Sequence, residues 1–243
     1  MICSNCKNQI EDKAVYCNYC GKKHNPSGVD RLEANYKMEW ELPDENGNVL
    51  FSAPLEHLTK PPDWNFYIKR AGEIINEGNF YEALEYCNKA LELNQDEPLI
   101  YNRLGLVYYN LGRDEKAISY YDKALELDPY YTPSLTNRAI IKSEKGLLIE
   151  ALSDYNKVIS LDSKDTTALH NRANVKHQLE DYSGAKNDIL TAIAIDGEDA
   201  PCLYILGLTL LKLGDTKEGI QNLKKSSQLG FQLAIDELKD LNL

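Results

Sequence analysis

The chain has 243 residues, of which 43% are hydrophobic and 27% charged, enough apolar material to bury a core and too much for a disordered tail. Acidic residues number 38 against 27 basic ones, a formal charge of −11. With no Lys/Arg run long enough to form a basic stripe, nucleic-acid binding is not expected. No apolar stretch approaches the ~18 residues of a membrane span, and the start lacks the apolar core of a secretory signal.

Four of the six cysteines fall within the first twenty residues, and Cys87 and Cys202 stand alone downstream. That scatter fits a reducing, cytoplasmic compartment better than a secreted disulfide framework. Cys3-x-x-Cys6 and Cys17-x-x-Cys20 are two like pairs, each letting both sulfurs point the same way. Together they supply the four thiolates of one tetrahedral, structural Zn2+. So short a piece has almost no core, so the metal would supply folding free energy on the order of 10 kcal/mol. Four cysteines leave no open coordination position, which makes the site structural and not catalytic. A redox dithiol pair, or His24 replacing one cysteine, are competing readings that the spacing does not need. Residues 1–24 resemble the small zinc ribbons at the N-termini of many microbial proteins.

Residues 25–63 carry Pro26, Gly28, Pro43, Gly47, Pro54, Pro61 and Pro62, which forbids a long helix there. Tyr36, Met38, Trp40 and Leu42 alternate with charged residues at the period of a strand, and Val49-Leu50-Phe51 follows a turn-rich run. This linker is either a small β-hairpin lying on neighbouring structure or a tether with incidental aromatics.

From Trp64 onward the chain repeats itself every 34 residues without gaps. Small residues recur at Ala83, Ala117, Ala151, Ala185 and Gly219, and again at Ala71, Gly105, Ala139, Ala173 and Gly207. A loop column reads Gly78, Gly112, Gly146, Glu180 and Gly214, where glycine ends the first helix of a pair. Each copy therefore predicts helix, turn, helix. Five copies occupy 64–97, 98–131, 132–165, 166–199 and 200–233. Glu180, in the place of the loop glycine, and Gly219, Ser226 and Gly230, expected to weaken packing in the fifth copy, show the pattern decaying toward its end. Residues 234–243 predict an amphipathic capping helix with Ala234, Ile235, Leu238 and Leu241 on one side. Such a cap favours a monomer over end-to-end stacking.

In the copy running from Tyr101-Asn102-Arg103-Leu104-Gly105 through Tyr108, Gly112 and Ala117 to Tyr120-Tyr121-Asp122-Lys123-Ala124 and Pro129, the chain resembles the tetratricopeptide repeat family. The resemblance implies a mainly α fold, a right-handed solenoid of helix pairs, here with an N-terminal zinc ribbon. It implies a concave wall of first helices that holds a peptide or partner protein. Since Leu104, Gly105 and Tyr108 face the packing side, Asn102, Arg103, Tyr109 and Asn110 should face the groove. Equivalent positions are Thr136, Asn137 and Ile140, then His170, Asn171, Asn174 and His177, then Tyr204, Leu208 and Leu211. The groove so read is polar in the middle and apolar at its C-terminal end. Asparagine amides donate and accept, which suits an extended peptide backbone; alternatively Asn137 and Asn171 tie adjacent repeats together. Ile68 and Gly72 stand where chaperone-tail-binding relatives carry lysine and asparagine, which argues against that role.

His170 and His177 lie about 10 Å apart along a helix, too far for easy shared metal binding. Cys87 and Cys202 read as small core residues. No nucleophile with its base, paired acids or phosphate-binding glycine loop occurs at diagnostic spacing, so an enzyme is not expected. The expected function is a non-enzymatic adaptor with the zinc ribbon as second docking module. The alternative is a zinc ribbon that contacts nucleic acid or the transcription or translation machinery, with Lys7, Lys13, Lys22 and Lys23 as its cations and the repeats recruiting partners.

Overall fold

The computed structural model describes residues 62–242. Cys3, Cys6, Cys17 and Cys20, and the candidate hairpin of residues 36–51, lie outside the described residues. Two compact units divide the chain, Met1–Asn94 and Gln95–Leu243. In the first, α1 (Trp64–Asn76) pairs with α2 (Phe80–Leu93). In the second, four helix pairs follow one another: α3 (Pro98–Asn110) with α4 (Asp114–Leu127), α5 (Thr132–Glu144) with α6 (Leu148–Leu161), α7 (Thr166–Gln178) with α8 (Tyr182–Asp196), and α9 (Ala200–Leu213) with α10 (Thr216–Gln228). Helix α11 (Gln232–Asp240) packs on α10. The described residues contain helices and no strand.

Local chemistry sets the boundaries. Pro98, Pro133 and Pro201 occupy the first turns of α3, α5 and α9, where their missing N–H has no partner to lose. Carboxylates of Asp63, Asp165 and Asp199 accept from the N–H groups of Phe66, Ala168 and Cys202, capping α1, α7 and α9. The turn inside each pair needs one left-handed residue. Glycine supplies it at Gly78, Gly112, Gly146 and Gly214, and at the fourth copy Glu180 adopts the same conformation with φ 64°.

Side chains from three consecutive helices share each core. Leu135, Ala139, Ala151, Tyr155, Val158, Ala168 and Val175 form one cluster across α5, α6 and α7. Leu169, Ala173, Ala185, Ile189, Leu206 and Leu210 form another across α7, α8 and α9. Each pair is thus stabilised by its neighbours, as expected of stacked repeats. Cys87 and Cys202 are both buried thiols.

Two features differ from the sequence expectation. Gly219 and Ser226 do not weaken the fifth copy. Gly219 sits where the α9 and α10 backbones meet, and Ser226 Oγ donates to the Ala200 carbonyl at 2.7 Å. Gly230 lies past the end of α10 with φ 85°, making a turn and leaving the helix intact. The second difference is in the cap. The bonds Leu229 N–H to Lys225 O, Gly230 N–H to Ser227 O and Phe231 N–H to Ser226 O repeat the pattern of Leu111, Gly112 and Arg113 between α3 and α4. Helix α11 therefore follows α10 through the tight turn used within a pair. Ala234 and Leu238 are buried under it and Ile235 half-buried, while Leu241 ends up exposed.

Candidate partner-binding groove

Helices α3, α5, α7 and α9 touch one another in sequence, whereas the second helices of the pairs approach each other less closely. The wall of first helices is therefore the tighter, inner side of this unit. All fourteen groove candidates named above, Asn102 through Leu211, lie on these four helices.

Many of them bond to the next helix in the wall. Asn102 is buried, and its Oδ1 accepts from Ser134 Oγ and from Asn137 Nδ2, each at 3.1 Å. Tyr109 donates its hydroxyl to Glu144 at 2.9 Å. His170 Nδ1 lies 3.3 Å from Cys202 Sγ, and His177 Nδ1 lies 3.0 Å from Thr209 Oγ1, so both histidines of α7 reach into α9. Asn110 returns to its own helix, donating to the Leu106 carbonyl, and the Tyr204 ring sits 5.3 Å from that of Phe231. Leu211 leans on α10 beside Gly219 instead of facing the groove. Of the two asparagines that could tie repeats together, Asn137 does so. The Asn171 side chain makes no hydrogen bond among the described residues.

Arg103, Thr136, Asn171 and Asn174, all half-buried, have side chains with no hydrogen bond among the described residues. The Nε of Arg103 is enclosed and has no hydrogen-bond partner among the described residues. Burial raises the Tyr131 hydroxyl pKa, and the nearby Arg103 charge partly opposes that rise, which places the guanidinium near the start of α5.

Burial sets the protonation of the wall's titratable groups. Burial lowers the pKa of His170, with Asp199 opposing, and that of His177, with Lys212 adding to the effect. Burial and the Asp199 carboxylate push the Cys202 thiol up to about 12, so the His170–Cys202 contact joins a neutral ring to a protonated thiol and makes no activated nucleophile. Among the described residues no cluster of three or more His, Cys, Asp or Glu side chains has the geometry for a metal ion.

Beneath the wall lie two ion clusters that the motif reading missed. Arg138 binds Asp154 through Nε (2.9 Å) and Nη2 (2.6 Å) and Asp122 through Nη1 (2.6 Å), while Lys142 adds a bond to Asp154 at 2.9 Å. One repeat later Arg172 binds Asp188 through the same two nitrogens and reaches Asn156 through the third, with Lys176 on Asp188 at 2.8 Å. Burial lowers the Arg138 pKa, but the bonds to Asp154 and Asp122 more than offset it and leave it raised. The signal was in the sequence: Arg, Lys and Asp recur together at the repeat interval. Each Arg spans its own pair and the preceding one, so the clusters clamp successive repeats.

Comparison with known proteins agrees with this architecture. A tetratricopeptide repeat profile matches residues 98–131, and a second profile of the same repeat matches 67–97 and 200–229. Among solved structures, a MamA fragment (41-end) from Desulfovibrio magneticus RS-1 superposes with a TM-score of 0.63 at 19% identity, covering 71% of this chain and 97% of that one. The pilF protein of Pseudomonas aeruginosa gives 0.64 at 20% identity, over 70% of this chain and 77% of its own. YrrB, described as a TPR protein with an unusual peptide-binding site, gives 0.61 at 20% identity, over 73% and 92%. No curated protein matches the chain by sequence.

Proposed function

The chain carries tetratricopeptide repeats, and on that premise we propose that it is a non-enzymatic adaptor holding a segment of another protein against the wall of α3, α5, α7 and α9. The observation that carries this reading is the pair Asn171 and Asn174 on α7. Both amides are half-buried in the middle of the wall and have no hydrogen-bond partner among the described residues, although their neighbours Asn137, His170 and His177 are engaged. A half-buried amide left without a protein partner is a group ready to receive the N–H and C=O of a bound backbone. The fold relative YrrB, with its peptide-binding site, supports the same use of the architecture.

The adaptor has a second module in this reading, a zinc ribbon on Cys3, Cys6, Cys17 and Cys20. Its support is the donor set: two Cys-x-x-Cys pairs fit tetrahedral zinc and leave it no open position.

The test is capture of partners from native lysate by the intact chain and by an Asn171→Ala, Asn174→Ala variant of unchanged melting temperature. Asn102 is unsuitable for this purpose, since removing it orphans Ser134 and Asn137 and confounds binding with folding. A partner captured by the first protein and lost by the second assigns the wall as the site; equal capture by both rejects it.

A further inference from the structure

The edge of the second unit where the second helices end is both apolar and acidic. At or just past their C-terminal ends, α4, α6, α8 and α10 present Leu127, Leu161, Ile195 and Leu229, one per repeat at the 34-residue interval and each between 40% and 60% exposed. The segments beside the first three, residues 126–131, 161–165 and 195–199, hold seven acids and a single cation, Lys164. Of these acids only Glu198 meets a cation among the described residues, Lys225 at 2.8 Å. Asp128, Asp162, Asp165 and Asp199 each accept a backbone N–H, and Asp196 accepts from the Thr166 hydroxyl. Those bonds hold the carboxylates in place and leave their charge uncompensated. At the opposite edge, where the turns within pairs lie, Lys145 joins Asp114 and Glu115, and Lys186 joins Asp215.

We infer that this edge docks a cationic amphipathic helix of a partner protein, its apolar residues on Leu127, Leu161 and Ile195 and its Lys and Arg side chains on the carboxylates of the connectors. The surface lies off the wall of first helices and does not depend on the wall holding a ligand. Stacked helices lie about 10 Å apart, and an α-helix returns the same face every two turns, about 11 Å along its axis. A partner helix with an apolar residue at every seventh position therefore meets one apolar side chain per repeat. Burying those side chains is favourable in itself, and the acidic connectors steer and orient the partner's cations. The same charge repels a phosphate backbone and an anionic membrane surface. A metal ion fits less well, since no group of three His, Cys, Asp or Glu side chains among the described residues has the geometry to hold one.

The experiment is fluorescence anisotropy on the full chain with a labelled eighteen-residue helical peptide of Leu, Lys and Ala whose leucines share one face. Its controls are a Lys→Gln twin and a scramble of the same composition that spreads the leucines around the helix. The amphipathic peptide should bind about tenfold more tightly than either control at low salt, and added salt should close the gap to the Lys→Gln twin. Asp128→Asn, Asp162→Asn and Asp196→Asn together, which still accept the local hydrogen bonds, should weaken it about tenfold and flatten its salt dependence. Leu161→Gln with Ile195→Gln should weaken it by a similar factor and leave the salt dependence as it was. Both variants are used only with unchanged melting temperatures. No binding of the peptide, equal binding of either control, or an affinity that either variant leaves unchanged overturns the inference, and none of these results touches the adaptor reading of the wall. Asn171→Ala with Asn174→Ala should leave the affinity as it was; loss of binding in that variant places the peptide on the wall and overturns the edge.

Discussion

The backbones of Gly207 and Gly219 meet where α9 crosses α10: a Cβ built on Gly219 would stand 2.9 Å from the Gly207 carbonyl oxygen, and one on Gly207 would stand 3.0 Å from that of Gly219. Corresponding pairs in the two preceding repeats are alanines, Ala139 with Ala151 and Ala173 with Ala185. Glycine usually weakens a helix by about 1 kcal/mol relative to alanine, but a methyl here collides with backbone. Gly219→Ala should therefore lower stability by about 1 to 2 kcal/mol net of its propensity gain, read as a lower melting temperature. An unchanged or higher one would show that the two helices have room to part.

Glu180 holds a left-handed turn that glycine holds in the other copies, at a cost of about 1 to 2 kcal/mol for a residue with a side chain. Glu180→Gly should raise stability by about 1 kcal/mol, and Gly146→Glu should lower it by a similar amount. Chemical denaturation of both variants checks the pair, and a destabilised Glu180→Gly would mean that the Glu side chain contributes more than the strain removes.

Asp154 is nearly enclosed and answers to both Arg138 and Lys142. Asp154→Asn should cost about 3 kcal/mol, because it leaves the half-buried Lys142 without its carboxylate and Arg138 with Asp122 alone. The second copy fills the same three places with Leu104, Tyr108 and Tyr120, whose two tyrosine rings stack at 5.2 Å. Transplanting that set, as Arg138→Leu, Lys142→Tyr and Asp154→Tyr together, should be far milder than the single change. Melting curves showing the triple variant as damaged as Asp154→Asn would refute this.

Acid should loosen the joint between α7 and α9. His170 and His177 have folded pKa values held below the ordinary 6.5, so the unfolded chain binds more protons in acid. Their contribution to stability is full above the unfolded value and declines as pH falls through about 6.5 toward the lower folded values. The melting temperature should drop between pH 7 and pH 5, and a His170→Asn, His177→Gln variant should show a flatter slope over that window. Parallel slopes would clear the two rings of any role.

Metal analysis should find one zinc per chain, lost in a protein with Cys3 and Cys17 changed to serine. Stripping the zinc with a chelator should leave the helical melt of α1 to α11 unmoved. A chain that melts as a whole on chelation would show that the cysteine module and the helix pairs are not independent.

The helix pairs were legible because their signals are local and periodic: small residues where Ala139 meets Ala151, a glycine at Gly112, a proline at Pro98. The groove was legible as a set of helix faces, since the period places Asn171 and Asn174 on the wall. Which of those side chains stay free was not. Whether Asn137 turns to Asn102 or His177 to Thr209 depends on the lateral distance between neighbouring helices, and the sequence of either helix alone does not specify that distance. The Arg138 and Arg172 clusters lie between these cases, written plainly as a recurrence but given meaning only when α5 is set beside α4 and α6. Gly219 was misjudged because a missing methyl lowers propensity in sequence terms and permits close contact in three dimensions.

The turn at Leu229-Gly230-Phe231 starts α11 at Gln232, ahead of the place where the period of α5, α7 and α9 would begin another first helix. Gly214 and Gly230 bracket α10 with two turns of the same kind, so α10 closes one pair and opens the next. An engineer who lengthened the protein by pasting a further 34-residue module after residue 233 would join it through a turn of the kind used within a pair. Grafting has to begin upstream of Leu229, with the longer acidic connector of the Asp162 to Asp165 type restored in place of the tight turn, if added modules are to continue the same wall.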